Sequence, residues 1–346
     1  MLEPLGGYDA QMAGAPPISA QDQQFLAQLV HAGWLGREGA QRVMESVGQA
    51  PFADLLRQAG GWDAQNLEWL RRTRGMTAPE IPGYVIGEKL GSGGTADVWA
   101  AQREKDFARV ALKIQKPALS RDPTATRRFL AEAKILQRIQ HPGIVRGTRA
   151  FRFLGLCVLE MERVPGSTLE EMLTNGAAFG EREALAIVLQ VARALEGLRA
   201  AGMVHRDLKP GNIMLARDGQ VRLIDLGFAG KEADDTDTAG TTLGTPAYLA
   251  PEQARGAGDL DARADIYSLG ATLYHLVIGR LPFDATDDQE MLRKQVLAGL
   301  DGGALKGGRV SPALHYFIEK MMAKDRDVRY PTPAALAEDI EAHLAR

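Results

Sequence analysis

The chain of 346 residues is 45% hydrophobic and 25% charged with a formal net charge of −3, a globular composition with room for more than one domain. So weak and acidic a balance supplies no field for gripping nucleic acid; the one cysteine, Cys157, excludes an internal disulfide and points to a reducing, cytoplasmic setting. No apolar run approaches the roughly 20 residues that cross a bilayer, and the start lacks the basic and apolar regions of a secretory signal, so neither a membrane span nor export is expected.

Residues 1–20 are rich in Gly, Pro and Ala without periodicity and read as a disordered tail. Residues 21–75 change to short amphipathic helices with a weak internal repeat. Phe25, Leu29, Ala32 and Gly33 recur 27 positions later as Phe52, Leu56, Ala59 and Gly60, with Trp34 and Trp62 one residue out of register. This predicts two helical hairpins, each closed by a glycine able to adopt the left-handed conformation. Packing or docking of a partner is the preferred role of this module, and a small-ligand site is the alternative. Arg71, Arg72 and Arg74 lead into a proline-punctuated linker over 76–83.

From Tyr84 the residues alternate as strands, and Leu90-Gly91-Ser92-Gly93-Gly94-Thr95-Ala96-Asp97-Val98 follows. Missing side chains in such a run let backbone N–H groups come close to phosphates. A dinucleotide-binding fingerprint would need an immediate helix, whereas 95–101 and 109–114 read as a strand pair. Lys113 lies on the second of these strands. In a predicted helix over 128–140, Phe129, Glu132 and Leu136 share one apolar face, so Glu132 is drawn into the core and needs a cation, for which Lys113 is the candidate. The apolar run 153–159 reads as one buried strand holding Cys157.

Helical periodicity at Val188, Val191, Leu195 and Leu198 ends at Gly202. Val204-His205-Arg206-Asp207-Leu208-Lys209-Pro210-Gly211-Asn212 follows, and then Asp225-Leu226-Gly227. Asp207 can accept a hydroxyl proton and Lys209 can neutralise a moving phosphoryl group. Asn212 and Asp225 can supply hard oxygens to magnesium. No simple packing role asks for all four. The six histidines show no metal-ligating spacing, so no transition-metal site is expected.

These spacings resemble the protein kinase family, and the wording Tyr248-Leu249-Ala250-Pro251-Glu252 is most similar to its bacterial, eukaryotic-like serine/threonine branch. The resemblance implies an α+β, bilobal catalytic domain over 84–344, with a small five-stranded antiparallel lobe carrying one helix and a larger helical lobe. It implies ATP with Mg2+, or Mn2+ in its place, and protein substrates with Ser or Thr acceptors. Leu90, Gly91, Ser92, Gly93, Gly94, Thr95 and Val98 would then cover the nucleotide. Ala111, Met161, Glu162 and Val164 would line the adenine side, and Lys113, paired with Glu132, would hold the phosphates. Asp207, Lys209 and Thr245 are the implied catalytic group; Asn212 and Asp225 are the implied metal ligands.

The resemblance also pairs Glu252 with Arg329 and uses Asp265 to hold the catalytic-loop backbone. Thr241, then Thr242 and Thr238, are the candidate autophosphorylation sites of the activation segment. Two letters depart from the family pattern: Ala96 replaces the third glycine, and Leu226 replaces a phenylalanine. Acids that would select a basic residue in the substrate are missing at Thr168 and Gly211, so no strong basic requirement is expected. With the letters ending at Arg346, sensing is expected from the helical module or from a homodimer. An ATP-binding scaffold that signals by conformation is the alternative to an enzyme.

Overall fold

The computed structural model describes residues 18–73, 80–227, 229–231, 245–300 and 310–346. Thr238, Thr241 and Thr242 lie outside these residues, as do most of the expected tail and linker. The chain divides into two compact units, Met1–Thr126 with Phe151–Val158, and Arg127–Ala150 with Leu159–Arg346. A five-stranded sheet takes the order β1-β2-β3-β5-β4, where β1 is Tyr84–Ser92, β2 Ala96–Arg103, β3 Arg109–Gln115, β4 Gly147–Phe153 and β5 Leu156–Glu162.

In the first unit, four short helices precede the sheet: α1 (Ala20–His31), α2 (Arg37–Glu45), α3 (Phe52–Gly60) and α4 (Ala64–Arg72). Ser19 caps α1 by accepting the Asp22 N–H, and Asp63 caps α4 by accepting that of Asn66, each satisfying a donor that helix geometry leaves over. Four helices occupy the span where two hairpins are expected, and the left-handed glycines are 28 residues apart, not 27. Gly33 (φ 75°) and Gly61 (φ 65°) take the left-handed turns, while Gly60 closes α3 in helical conformation. Glycine-to-glycine spacing is therefore that of the tryptophan pair that follows, Trp34 and Trp62. Arg71 and Arg72 form the last turn of α4.

This module is packed onto the sheet. Its core of Phe25, Leu29, Leu35, Leu56, Leu67 and Leu70 also takes in Leu154 from the turn between β4 and β5. Burying each such leucine stabilises the unit by about 1.5–3 kcal/mol relative to exposure. Trp69 meets Phe153 edge to face with centroids 5.4 Å apart, and Trp34 touches both this core and that of the sheet, which holds Tyr84, Leu112 and Val158. Arg121 Nη2 donates to the Ala59 carbonyl at 3.0 Å.

Two sequence expectations change here. The run 153–159 is no single strand: Leu154 (φ 51°) and Gly155 (φ 81°) form a left-handed turn between β4 and β5. A leucine in that conformation is strained, and its burial among the module's side chains offsets the cost. The helix α5 runs Pro123–Arg138, starting earlier than the apolar periodicity indicates. Its Asp122 carboxylate accepts the Thr124 N–H at 2.8 Å and Pro123 fits the first turn, so the start is set by capping chemistry.

The second unit is mainly helical. Its longest elements are α7 (Glu181–Ala200) and α9 (Ala262–Ile278), and the helices Pro312–Met321 and Pro333–Leu344 pack with them. Helix α9 is apolar on nearly all sides and is buried accordingly. Two small sheets flank the catalytic stretch: β7 (Met203–Val204) pairs with β10 (Gly230–Lys231), and β6 (Gly166–Thr168), β8 (Ile213–Ala216) and β9 (Val221–Leu223) form a three-stranded sheet. Residues 205–212 thus hang between β7 and β8, and Asp225 follows β9 directly.

Candidate active site

The catalytic stretch is held by its backbone. Arg206 has φ 69°, a conformation that costs a non-glycine residue energy and persists only where neighbours over-determine it. Asp265 on α9 supplies that constraint: its two carboxylate oxygens accept the N–H groups of His205 at 2.8 Å and Arg206 at 2.9 Å. Gln253 Nε2 adds a third restraint by donating to the Arg206 carbonyl at 2.8 Å. Complete burial pushes the Asp265 carboxyl above its ordinary range, while the nearby His205 and Arg206 charges and the two N–H donors oppose the rise. The Arg206 side chain is buried, with its guanidinium against Gly230: a Cβ added there would lie 2.7 Å from Nη1.

Four of the expected residues converge just beyond this restraint. The Asp207 carboxylate lies 3.0 Å from Lys209 Nζ, and it accepts the Thr245 N–H at 3.0 Å. Lys209 Nζ also donates to Thr245 Oγ1 at 2.6 Å, and that hydroxyl lies 3.4 Å from the same carboxylate. Asn212 donates through Nδ2 to the Asp207 carbonyl at 2.7 Å and to its carboxylate at 3.1 Å, which leaves the amide oxygen as the atom to offer a metal. Asp207 and Asn212 are each 7% exposed, so the charge on Asp207 is balanced locally by Lys209 and by fixed dipoles.

Asp225 turns its carboxylate toward the Gly227 N–H, 2.8 Å away, and Leu226 between them is buried as an apolar plug. Glu132, from α5, reaches the same turn. A Cβ on Gly227 would stand 3.0 Å from Asp225 Oδ1, a tight contact, and 3.5 Å from Glu132 Oε2, an ordinary one, so both carboxylates come close to this glycine. The donor set suits magnesium. Among the described residues no group of three or more His, Cys, Asp or Glu side chains gathers to hold an ion. Magnesium commonly takes one or two protein oxygens and completes its shell from water and substrate phosphates.

In the first unit, the glycine-rich run forms the tip of the β1–β2 hairpin. The Gly93 N–H donates to the Ala96 carbonyl at 2.9 Å, and Gly91, Ser92, Gly93, Gly94 and Thr95 are exposed. Ala96, in place of a third glycine, is buried at the start of β2. Asp97 is braced by Ser92 Oγ at 2.7 Å and Lys89 Nζ at 3.1 Å. Partial burial works to raise its carboxyl, but these hydrogen bonds and the Lys89 and Lys116 charges hold it below the usual range. Ala111 and Lys113 are buried on β3. Leu90 is 38% exposed beside the tip, and Val98 is partly covered.

In the second unit, Met161 is buried at the end of β5, and Glu162 and Val164 are half-buried beyond it. Glu162 is engaged with Arg146 twice, its carboxylate accepting the Arg146 N–H at 3.1 Å and its own N–H donating to the Arg146 carbonyl at 2.9 Å. Gly211 lacks a carboxylate in sequence yet has one beside it in space: a Cβ there would come within 2.6 Å of Glu170 Oε2. Glu171 is consumed in a capping box with Thr168.

The helical module offers a cleft of 260 Å³ lined by Gln21, Asp22, Phe25, Glu68, Arg71 and Arg72. Both of its arginines are paired, Arg71 with Asp22 and Arg72 with Glu80 outside the cleft, each at 3.2 Å. Sequence reasoning missed two buried amides: Gln253, which holds the Arg206 carbonyl, and Gln295, which holds the loop after Thr245. A lone glutamine gives no periodic signal, and each partner lies about fifty residues away in the chain.

A profile of the protein kinase domain matches residues 84–340. A protein named probable serine/threonine-protein kinase in Streptomyces coelicolor is 36% identical over 269 residues, covering 75% of this chain and 40% of its own length. The serine/threonine-protein kinase PknB of Mycolicibacterium smegmatis is 34% identical over 274 residues, covering 77% of this chain and 44% of its own. PknB of Mycobacterium tuberculosis is 32% identical over 264 residues, with 74% and 42% covered. The chain thus spans less than half the length of the curated relatives it matches. With a five-stranded sheet, a mainly helical second unit and this candidate catalytic stretch, the chain belongs to the protein kinase family, alongside bacterial serine/threonine-protein kinases.

Proposed function

We propose that the protein is an active serine/threonine kinase that transfers the γ-phosphoryl group of MgATP to protein hydroxyls. The observation that carries this reading is the joining of Asp207, Lys209 and Thr245, with Asn212 bonded to the same aspartate. Asp207 orients the acceptor hydroxyl and takes its proton as the new P–O bond forms and the bond to the ADP oxygen breaks. Lys209 neutralises charge on the group in flight. Asn212 and Asp225 would hold magnesium, and Lys113, with Glu132 as its expected partner, would hold the α- and β-phosphates. Bound magnesium supplies neutralisation of charge on the β- and γ-phosphates. The exposed run 91–95 would cover those phosphates, with Leu90, Val98, Ala111, Met161 and the backbone of Glu162 and Val164 around adenine.

Nothing favours the scaffold reading, because each residue the chemistry needs is present. Autophosphorylation at Thr241, Thr242 or Thr238 belongs to the same proposal, since a phosphate adds negative charge that can order a segment by pairing with arginines. The helical module is proposed as a structural part of the first unit, on the strength of its shared core with β4–β5. The test is incubation with γ-labelled ATP, magnesium and a Ser/Thr/Tyr peptide mixture. Labelled phosphoserine and phosphothreonine are expected; label confined to phosphotyrosine, or no label, would refute the reading.

A further inference from the structure

Gln295 lies on α10 (Asp288–Leu297) with none of its surface exposed. Its side-chain nitrogen donates to two successive carbonyls, Pro246 at 3.2 Å and Ala247 at 2.7 Å. Its side-chain oxygen accepts the Tyr267 hydroxyl at 2.7 Å. Lys324 Nζ in turn donates to Tyr267 Oη at 2.9 Å and to the Gln295 carbonyl at 2.7 Å. The ammonium has no acceptor capacity, so the tyrosine oxygen accepts from Lys324 and its proton must go to Gln295. That fixes the amide the right way round, with both N–H groups turned to the loop. No other side chain of this size both accepts one bond and donates two here.

The two carbonyls follow Thr245 directly, and the Thr245 N–H and hydroxyl meet Asp207. The loop 245–248 is therefore tied at one end to the proposed base and at the other to Gln295. We propose that Gln295 is a positioning residue for the protein acceptor, fixing this loop so that an incoming peptide hydroxyl meets Asp207. The inference rests on the kinase reading above, and it acts on the acceptor side alone. Released from Gln295, the loop would leave Asp207, Lys209 and Asn212 bonded to one another but would lose its fixed surface for the peptide.

Full-length Gln295→Met keeps side-chain volume and removes all three hydrogen bonds; Gln295→Asn keeps the amide but is one methylene too short to serve both carbonyls. Steady-state kinetics with a Ser/Thr peptide and MgATP read the effect. The KM for the peptide should rise about tenfold or more in Gln295→Met, and by a smaller factor in Gln295→Asn, while the KM for MgATP moves less than about twofold. Should Gln295→Met fail to fold, Gln295→Asn carries the same split. A wild-type peptide KM in a folded variant, or equal losses toward both substrates, overturns the inference while leaving the kinase reading intact. Wild-type protein that labels no peptide overturns both.

Discussion

Glu252 and Arg329 meet through two parallel contacts of 2.6 and 2.8 Å, with the arginine side chain fully shielded from solvent. The same guanidinium donates to the carbonyls of Ala323, Arg263 and Lys324, so all its donor groups are placed. Removing one member of such a pair strands a charge in the core. Arg329→Ala should cost about 3–5 kcal/mol of stability, read as a lower urea midpoint. Loss of less than about 1 kcal/mol would show that the pair does not hold the second unit together.

The module and sheet should stand or fall together around Leu154. Leu154→Ala empties part of a shared core and should destabilise the first unit by about 2–4 kcal/mol. Val85→Ala, at a residue 59% exposed on β1, should stay within about 0.5 kcal/mol as the control. Equal effects in denaturant titrations would mean that the module does not pack on the β4–β5 turn.

Two histidines give the second unit an acid-side weakness. Burial lowers His275, against a small opposing influence of Glu170, and burial with the Arg222 charge lowers His141, both from an ordinary value of 6.5. Below that value the unfolded chain binds protons that the folded one resists, so stability falls as pH drops through 6.5 toward the folded values and is fully present above it. Thermal unfolding between pH 7.5 and 5.5, roughly one unit on either side, should show this fall, and a His141→Gln/His275→Gln variant should flatten it. An unchanged slope in that variant would assign the effect elsewhere.

Much of the site was legible because its letters answer to chemistry rather than to packing. Asp207, Lys209 and Asn212 sit close together in a short polar stretch, and the structure brings Lys209 and Asn212 into direct contact with Asp207. What stayed hidden answers to tertiary context. The Leu154 turn looks apolar throughout, and only a neighbouring helical core makes a left-handed leucine tolerable. The start of α5 follows from Asp122 and Pro123, not from hydrophobic spacing.

The most direct measurement compares wild type with Asp207→Asn for transfer from γ-labelled ATP and for MgATP binding. The variant keeps the size and one accepting oxygen, toward either Thr245 or the Lys209 and Asn212 donors, but cannot take a proton. Label transfer should fall by at least about a hundredfold with nucleotide affinity retained. Equal labelling by the two proteins would contradict the assignment of Asp207 as the residue on which the phosphoryl transfer turns.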